Sequence, residues 1–235
     1  MSKLLKDVIL DTRCVICGSK DLSEECHLIC DKCLAAFDEA PTDICPICGH
    51  PMTNDYCPSC YELGQIYFDS YHYLQTYTGF FKNVVYKLKK NDEFVMNRLC
   101  VSLLLRKGWL SKDIPVTIVP DTWWKAFRRG RGSLRYVLRL LRREGFTVMP
   151  NIYRKRWTLR SRSQKSKSKT TRLNEIEQGY YLPDDNREKY HGEIYLIDDV
   201  YTTGATVNYG AKLLKDAGFD KVHCITFFRA VLNDE

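Results

Sequence analysis

Long hydrophobic runs are missing from this chain. The most apolar stretch, near Leu99 to Leu105, is short and interrupted by Ser102, whereas a bilayer-spanning helix needs about 20 apolar residues. Met1 to Asp11 lacks the hydrophobic core of a secretory signal. No membrane insertion is expected, and the expected compartment is the cytoplasm. Large apolar side chains are scarce in the first sixty residues, so that segment cannot bury enough surface to fold unaided. Acidic residues are nearly absent between positions 125 and 172, where Glu144 stands alone against seventeen Lys or Arg. A charge run is ordinarily a solvated face or a flexible loop. This one is dense enough to predict an anionic partner, either polyphosphate or nucleic acid. What is present suffices for one α/β domain plus a small module: 235 residues, 44% of them hydrophobic, with a net charge of +7.

Cysteine is abundant where apolar residues are not. Eight of the 11 cysteines fall in four Cys-x2-Cys pairs: Cys14/Cys17, Cys30/Cys33, Cys45/Cys48 and Cys57/Cys60. In a reducing compartment this pattern predicts metal rather than disulfides. Gly18 and Gly49 each follow a pair, as expected of knuckles whose tight turns aim backbone N–H groups at thiolate sulfur. Two structural zinc ions are predicted, each in a closed tetrahedral shell of four thiolates with no position left for catalysis. Spacing leaves two arrangements open. Sequential pairing joins Cys14, Cys17, Cys30 and Cys33 on one ion and Cys45, Cys48, Cys57 and Cys60 on the other. A cross-braced pairing joins the first pair to the third and the second to the fourth. His27 and His50 stand near the knuckles and are read as bystanders, and Cys26 as a spare thiol.

The most informative segment is residues 194–206, Ile-Tyr-Leu-Ile-Asp-Asp-Val-Tyr-Thr-Thr-Gly-Ala-Thr. A short buried-strand pattern, Ile194 to Ile197, runs into Asp198 and Asp199. Hydroxyls and one glycine follow, and then a helical stretch from Ala205 to Ala217. Backbone N–H groups at a helix start lack internal partners and attract anions. Thr202, Thr203 and Thr206 add hydroxyl donors, and Gly204 lets backbone approach an anion closely. The two carboxylates suit a sugar diol, directly or through Mg²⁺, which prefers oxygen ligands. The segment resembles the phosphoribosyl pyrophosphate (PRPP) motif of type I phosphoribosyltransferases. That resemblance assigns Asp198 and Asp199 to catalysis and the ribose hydroxyls. It assigns Thr202, Thr203, Gly204, Ala205 and Thr206 to the 5-phosphate.

Around this motif the pattern alternates strands and helices. An aromatic strand or extended entry covers Tyr67 to Tyr77, with helices over Gly79 to Lys90 and Phe94 to Trp109. A strand at Val116 to Val119 ends at Pro120. A helix covers Ser133 to Glu144, with Leu134, Val137, Leu138 and Leu141 on one face. Strands are predicted at Phe146 to Tyr153, Glu193 to Asp198 and Val222 to Phe228. Such alternation implies a parallel sheet flanked by helices, with its ligand at the carboxyl ends of the strands. The reading divides the chain into a double zinc ribbon, 1–62, and a phosphoribosyltransferase-like α/β domain, 63–235. Arg154 to Gln178 is polar, basic and Ser-rich and reads as a mobile loop, in the place of the hood that closes over PRPP in type I enzymes. Pro120-Asp121-Thr122 is the expected pyrophosphate-side loop, and residues 128–133 form a basic turn before a helix. Basic residues interleave with Trp123, Trp124, Phe127, Tyr136 and Trp157, a composition suited to single strands.

The combination resembles the ComF family of competence-associated phosphoribosyltransferase-like proteins over nearly the whole chain. The resemblance rests on the four cysteine pairs, Tyr77-Thr78-Gly79 with its lysine-bearing helix, and the strand ending at Pro120. It rests further on the Arg-Gly turn at 129–130, the Gln164, Arg172 and Asn174 series, and the segment from Asp198 to Thr206. It departs where Arg131, Gly132 and Ser133 replace an aromatic, Asn and Gln, and where the stretch from Thr158 to Gln164 is longer and more basic. The resemblance implies a role in uptake of transforming DNA, with single-stranded DNA and a helicase-like competence protein as partners. Arg154, Lys155, Arg156, Arg160 and Arg162 are the expected nucleic-acid contacts. The other reading is an active phosphoribosyltransferase of nucleotide salvage with an unidentified acceptor.

Overall fold

A computed structural model describes residues 13–39, 44–52, 56–91, 93–120, 134–156 and 179–230. In chain order the elements are α1 (Asp31–Asp38), α2 (Pro58–Leu63), β1 (Ser70–Thr76), α3 (Gly79–Asn91), α4 (Glu93–Lys107) and β2 (Val116–Ile118). There follow α5 (Leu134–Arg143), β3 (Arg154–Lys155), β4 (Tyr180–Tyr181), a 3₁₀ turn (Asp184–Asn186), β5 (Glu193–Tyr201), α6 (Ala205–Asp216) and β6 (Lys221–Arg229). Four strands make one sheet in the order β1-β6-β5-β2, every pair parallel. The fold is therefore α/β, a parallel sheet flanked by helices, with cysteine clusters towards the N-terminus.

Strand alternation sends side chains to two separate cores. Tyr195 and Ile197 of β5, with Ile225 and Phe227 of β6, pack with Leu99 and Leu103 of α4 and Val137 and Leu141 of α5. Ile194 and Leu196, with Val222 and Cys224, pack on the other face with Val207, Ala211 and Leu214 of α6. Helix α5 shows how pattern becomes packing. Leu134, Val137, Leu138, Leu140 and Leu141 are buried, while Arg135, Arg139, Arg142 and Arg143 are exposed. Gly145 closes the helix at φ +90°, its N–H on the Arg142 carbonyl, a conformation that disfavours any side chain.

Each cysteine-rich segment backs one of these cores. Cys14, Ile16, Leu28, Ile29, Leu34 and Phe37 join the core that holds α4 and α5. Cys45 and Cys48 join the core that holds α6. Buried Gln75 of β1 donates from Nε2 to the carbonyls of Ala36 and Glu39, tying the end of α1 to the sheet. Arg106 of α4 pairs with Glu25 at 2.5 Å and Asp38 at 2.6 Å.

Three predicted elements change. Residues 146–153 are not a strand. The backbone around Val148 touches β2 through Val116 N–H to Thr147 O and Met149 N–H to Val116 O. Pro150 and Asn151, the latter at φ +66°, then turn the chain away. The motif strand does not end at Asp198 but continues to Tyr201, because β6 pairs with it as far as Arg229. Arg154 and Lys155 are not loop but pair antiparallel with Tyr181 and Tyr180. The rest of the predicted hood, 157–178, lies outside the described residues, as do Asp121, Thr122 and the turn at 128–133. Among the described residues no helix is long and apolar enough to cross a membrane.

Candidate functional site

The carboxyl ends of three strands meet in one row. In the sheet register Thr76 of β1 and Tyr201 of β5 both stand opposite Arg229 of β6. Asp198, nearly buried, and Asp199, half-buried, lie just before this row on β5. Their backbone is braced by their own side chains: Asp199 N–H donates to Asp198 Oδ1 at 2.9 Å, and Val200 N–H to Asp199 Oδ1 at 2.8 Å. After Tyr201 the chain bends through exposed Thr202 and half-buried Thr203 to Gly204. Gly204 sits at φ +79° and is the N-cap of α6, with no side-chain cap. Asn208 N–H donates to Gly204 O at 2.8 Å, the first turn of that helix. The arrangement is a strand-end carboxylate pair, a hydroxyl loop and an open helix start. A helix start of this kind concentrates unpartnered N–H groups and partial positive charge where an anion can reach them.

The loop is held from beneath. A Cβ built on Gly204 would lie 2.1 Å from Tyr201 Oη and 2.2 Å from its Cζ, so only glycine fits over that ring. Tyr201 is buried, its ring 4.7 Å from Tyr71 and 4.3 Å from the Arg229 guanidinium. Its hydroxyl has no hydrogen-bond partner among the described residues. Arg229 is fully buried. It donates to Cys48 O, Thr202 O and Ser59 Oγ, each at 3.0 Å, and also to Ala230 O. Asn208, on the first turn of α6, accepts from Tyr67 N–H and donates to Gln65 O, both at 2.8 Å.

The eight paired cysteines form two groups in sequential order: Cys14, Cys17, Cys30 and Cys33, then Cys45, Cys48, Cys57 and Cys60. All sulfurs of a group lie within 4.8 Å of one another. Sulfur pairs stand at 3.6 Å (Cys17 and Cys30), 3.7 Å (Cys45 and Cys60) and 3.5 Å (Cys48 and Cys57). A tetrahedron with Zn–S near 2.3 Å has an edge of about 3.8 Å, so both groups can hold a structural zinc ion. Neither group contains His27 or His50. Gly18 and Gly49 take φ +80° and +64°, and their N–H groups close the knuckles on Cys14 O and Cys45 O. Burial pushes the Cys14 thiol up, but N–H groups of Cys17, Cys30 and Ile16 outweigh it and bring it down to about 7. Burial and the neighbouring Cys48 and Cys45 sulfurs push Cys57 up to about 11, although the Cys60 N–H opposes them. Four crowded thiols cannot all ionise without a cation, and a divalent ion meets that need. Cys26 is buried, with its sulfur 3.6 Å from Ser102 Oγ.

Of the expected nucleic-acid contacts, Arg154 and Arg156 are exposed on the β3–β4 ribbon and Lys155 is half-buried. Lys155 lies over Tyr180 at 4.9 Å and Arg156 over Tyr181 at 5.4 Å. Arg160 and Arg162 lie outside the described residues, as do Trp123, Trp124, Phe127 and Trp157. Tyr136 stacks on Phe94 at 4.0 Å, so its ring is engaged in packing.

The sequence reading missed Arg229, Asn208 and the part played by Tyr201. A charged residue closing the apolar run of residues 222–228 was the available signal for Arg229.

No protein-family model matches the chain. It is similar to Competence protein ComFC of Streptococcus pneumoniae (strain ATCC BAA-255 / R6), with 24% identity over 238 residues, covering 92% of this chain and all of that protein. It is also similar to Competence protein ComFC of Bacillus subtilis (strain 168), with 25% identity over 200 residues, covering 81% of this chain and 79% of that one. Both relatives carry the ComFC name, and similarity over most of the chain supports a ComF-type reading of it. The chain couples two cysteine clusters to one α/β sheet, and Asp198 to Thr206 runs from a strand of that sheet into the start of a helix.

Proposed function

We propose that this chain is a ComF-type protein that binds PRPP at the carboxyl edge of its sheet and handles single-stranded DNA in a competence role. The observation that carries the first half is the pair Asp198–Asp199 followed within five residues by left-handed Gly204 at a helix start. Thr202, Thr203, Ala205 and Thr206 would receive the 5-phosphate through hydroxyl and backbone donors. Asp198 and Asp199 would hold the ribose hydroxyls and, as hard oxygen donors, Mg²⁺. When bound, that ion would offset the charge of the pyrophosphate. The competence role is supported by the names of the two relatives. DNA handling is supported by the charge excess at 125–172 and by exposed Arg154 and Arg156 beside Tyr181.

Calorimetric titration with PRPP–Mg²⁺ tests the site. Asp199→Asn is expected to weaken binding at least about tenfold with zinc content unchanged, and wild-type affinity in that variant would reject the assignment. For DNA, oligonucleotide affinity is measured against salt. Each phosphate neutralised on a single strand contributes about 0.7 to the log–log slope. Replacing Arg154, Lys155 and Arg156 with Ala is expected to flatten the slope for all base sequences alike. A wild-type protein that binds no oligonucleotide at low salt would remove DNA from the proposal.

A further inference from the structure

The second cysteine cluster and the phosphate loop share one side chain. The guanidinium of Arg229 sends Nε to Cys48 O on one knuckle, Nη2 to Ser59 Oγ on the other knuckle, and Nη1 to Thr202 O on the loop. Three nitrogens thus join three pieces of chain. Tyr201 covers the flat face of the same group at 4.3 Å. The guanidinium is fully buried, and the acceptors its nitrogens reach are the carbonyls of Cys48, Thr202 and Ala230 and the hydroxyl of Ser59. A buried guanidinium must be compensated by its surroundings. A tetrathiolate site holding a divalent ion carries a net negative charge beside the Cys48 carbonyl.

A second tether runs in parallel. The chain leaving α2, which carries Cys60, passes Gln65 and Tyr67, and both backbone groups are bound by the Asn208 side chain on the first turn of α6. The cluster therefore grips both the loop and the helix start that follows it. Gly49 packs under β1 at the same junction: a Cβ there would lie 2.3 Å from Tyr73 Cε1.

We propose that Arg229 is a positioning residue through which the metal-bound state of the Cys45, Cys48, Cys57 and Cys60 cluster sets the conformation of the Thr202 to Gly204 loop. Metal holds the two knuckles together. Their junction presents Cys48 O and Ser59 Oγ at a fixed separation, and the guanidinium spanning them places the Thr202 carbonyl and so turns the loop's N–H groups outward. Loss of the metal frees the knuckles from each other and releases the loop. This deepens the PRPP reading and rests on it for the ligand, while the coupling itself is measured without ligand.

The test is hydrogen exchange on the full chain, comparing amides of residues 200–206 with those of 193–197 in the core of the same strand. Arg229→Lys keeps the charge but cannot form the fork. It is expected to retain zinc and protection at 193–197, to exchange about tenfold faster at 200–206, and to bind PRPP about tenfold more weakly. Ser59→Ala, which removes one acceptor and no metal ligand, is expected to raise exchange at 200–206 about threefold. Stripping metal from the wild-type chain should mimic Arg229→Lys, and returning Zn²⁺ should reverse it. If Arg229→Lys does not fold, Ser59→Ala and the strip-and-reload comparison decide. Unchanged exchange at 200–206 in these samples would overturn the coupling even if PRPP binds. The expected exchange pattern in a protein that binds no PRPP would uphold the coupling and reject the PRPP reading instead.

Discussion

Gly204→Ala is the sharpest single probe of the loop. The substitution places a methyl group where Tyr201 Oη would lie 2.1 Å away and Cζ 2.2 Å away. It also demands φ +79° of a residue with a Cβ, which costs about 1–2 kcal/mol. Tyr201 has little room to retreat, because Tyr71 and Arg229 hold its ring at 4.7 Å and 4.3 Å. Forcing extra volume into such a site costs about 1–3 kcal/mol. The sum is about 2–5 kcal/mol, centred near 3.5. For a chain of this length about 3.5 kcal/mol corresponds to a fall in Tm of roughly 7–14 °C. Tyr201→Phe makes the complementary test. It deletes a buried hydroxyl with no hydrogen-bond partner among the described residues and keeps the aromatic face, so stability should hold or rise. The double variant should resemble Gly204→Ala, since the ring carbon at 2.2 Å remains. Thermal unfolding and PRPP titration are the assays. Gly204→Ala with Tm within about 1 °C of wild type and unaltered binding would refute the claim that Tyr201 shapes the loop.

Metal analysis of the purified chain should return two zinc ions, and a folded, metal-free N-terminal segment would contradict the reading of the two cysteine groups. Gly49→Ala faces the same kind of clash, 2.3 Å from Tyr73 Cε1 at φ +64°. Because Tyr73 is only half-buried and can yield, the loss should be about 1–2 kcal/mol by urea denaturation, less than at Gly204. Arg106→Ala should cost about 0.5 kcal/mol, the scale of a part-exposed ion pair. The Arg106 guanidinium holds the Asp38 carboxyl below its ordinary value, so this contribution is present above the ordinary carboxylate range. It is lost as pH falls below about 4, and the gap in Tm between wild type and variant should close there.

The parts legible in the sequence were those whose chemistry is local. A Cys-x2-Cys-Gly knuckle is specified within five residues, and both knuckles with Gly18 and Gly49 form the predicted tight turn, with the glycine left-handed. The strand–loop–helix around Asp198 is likewise a single continuous segment, and α5 follows directly from its apolar spacing. Which knuckle pairs with which was not legible, because both arrangements satisfy the same spacing. The choice follows from each pair of knuckles packing into its own core. Residues 146–153 looked like a strand because Phe146, Val148, Met149, Ile152 and Tyr153 are apolar, but Pro150 leaves room only for a brief contact with β2. Arg229 was illegible for a different reason. A charged residue at the end of an apolar strand ordinarily marks the return to solvent. It is buried here because Tyr201 covers its flat face and Cys48 and Ser59, 181 and 170 residues earlier, accept from its nitrogens.

That placement bears on why a sheet of this kind carries cysteine clusters at all. The first cluster strengthens a core that already contains α4 and α5, and its removal should register mainly as lost stability. The second cluster adds comparatively few large apolar side chains to its core; its contribution is hydrogen-bonded contact with the strand ends, through Arg229 to Thr202 and through Gln65 and Tyr67 to Asn208. A loop of threonines and one glycine has no apolar side chains with which to fix itself. It must be held by a neighbour rigid enough to define the separation of its anchor points, and a tetrathiolate metal site is among the most rigid structures so few residues can build. The two clusters are alike in ligand set, yet one packs into the helix-bearing core while the other is tied by hydrogen bonds to the strand-end loop and the helix start after it.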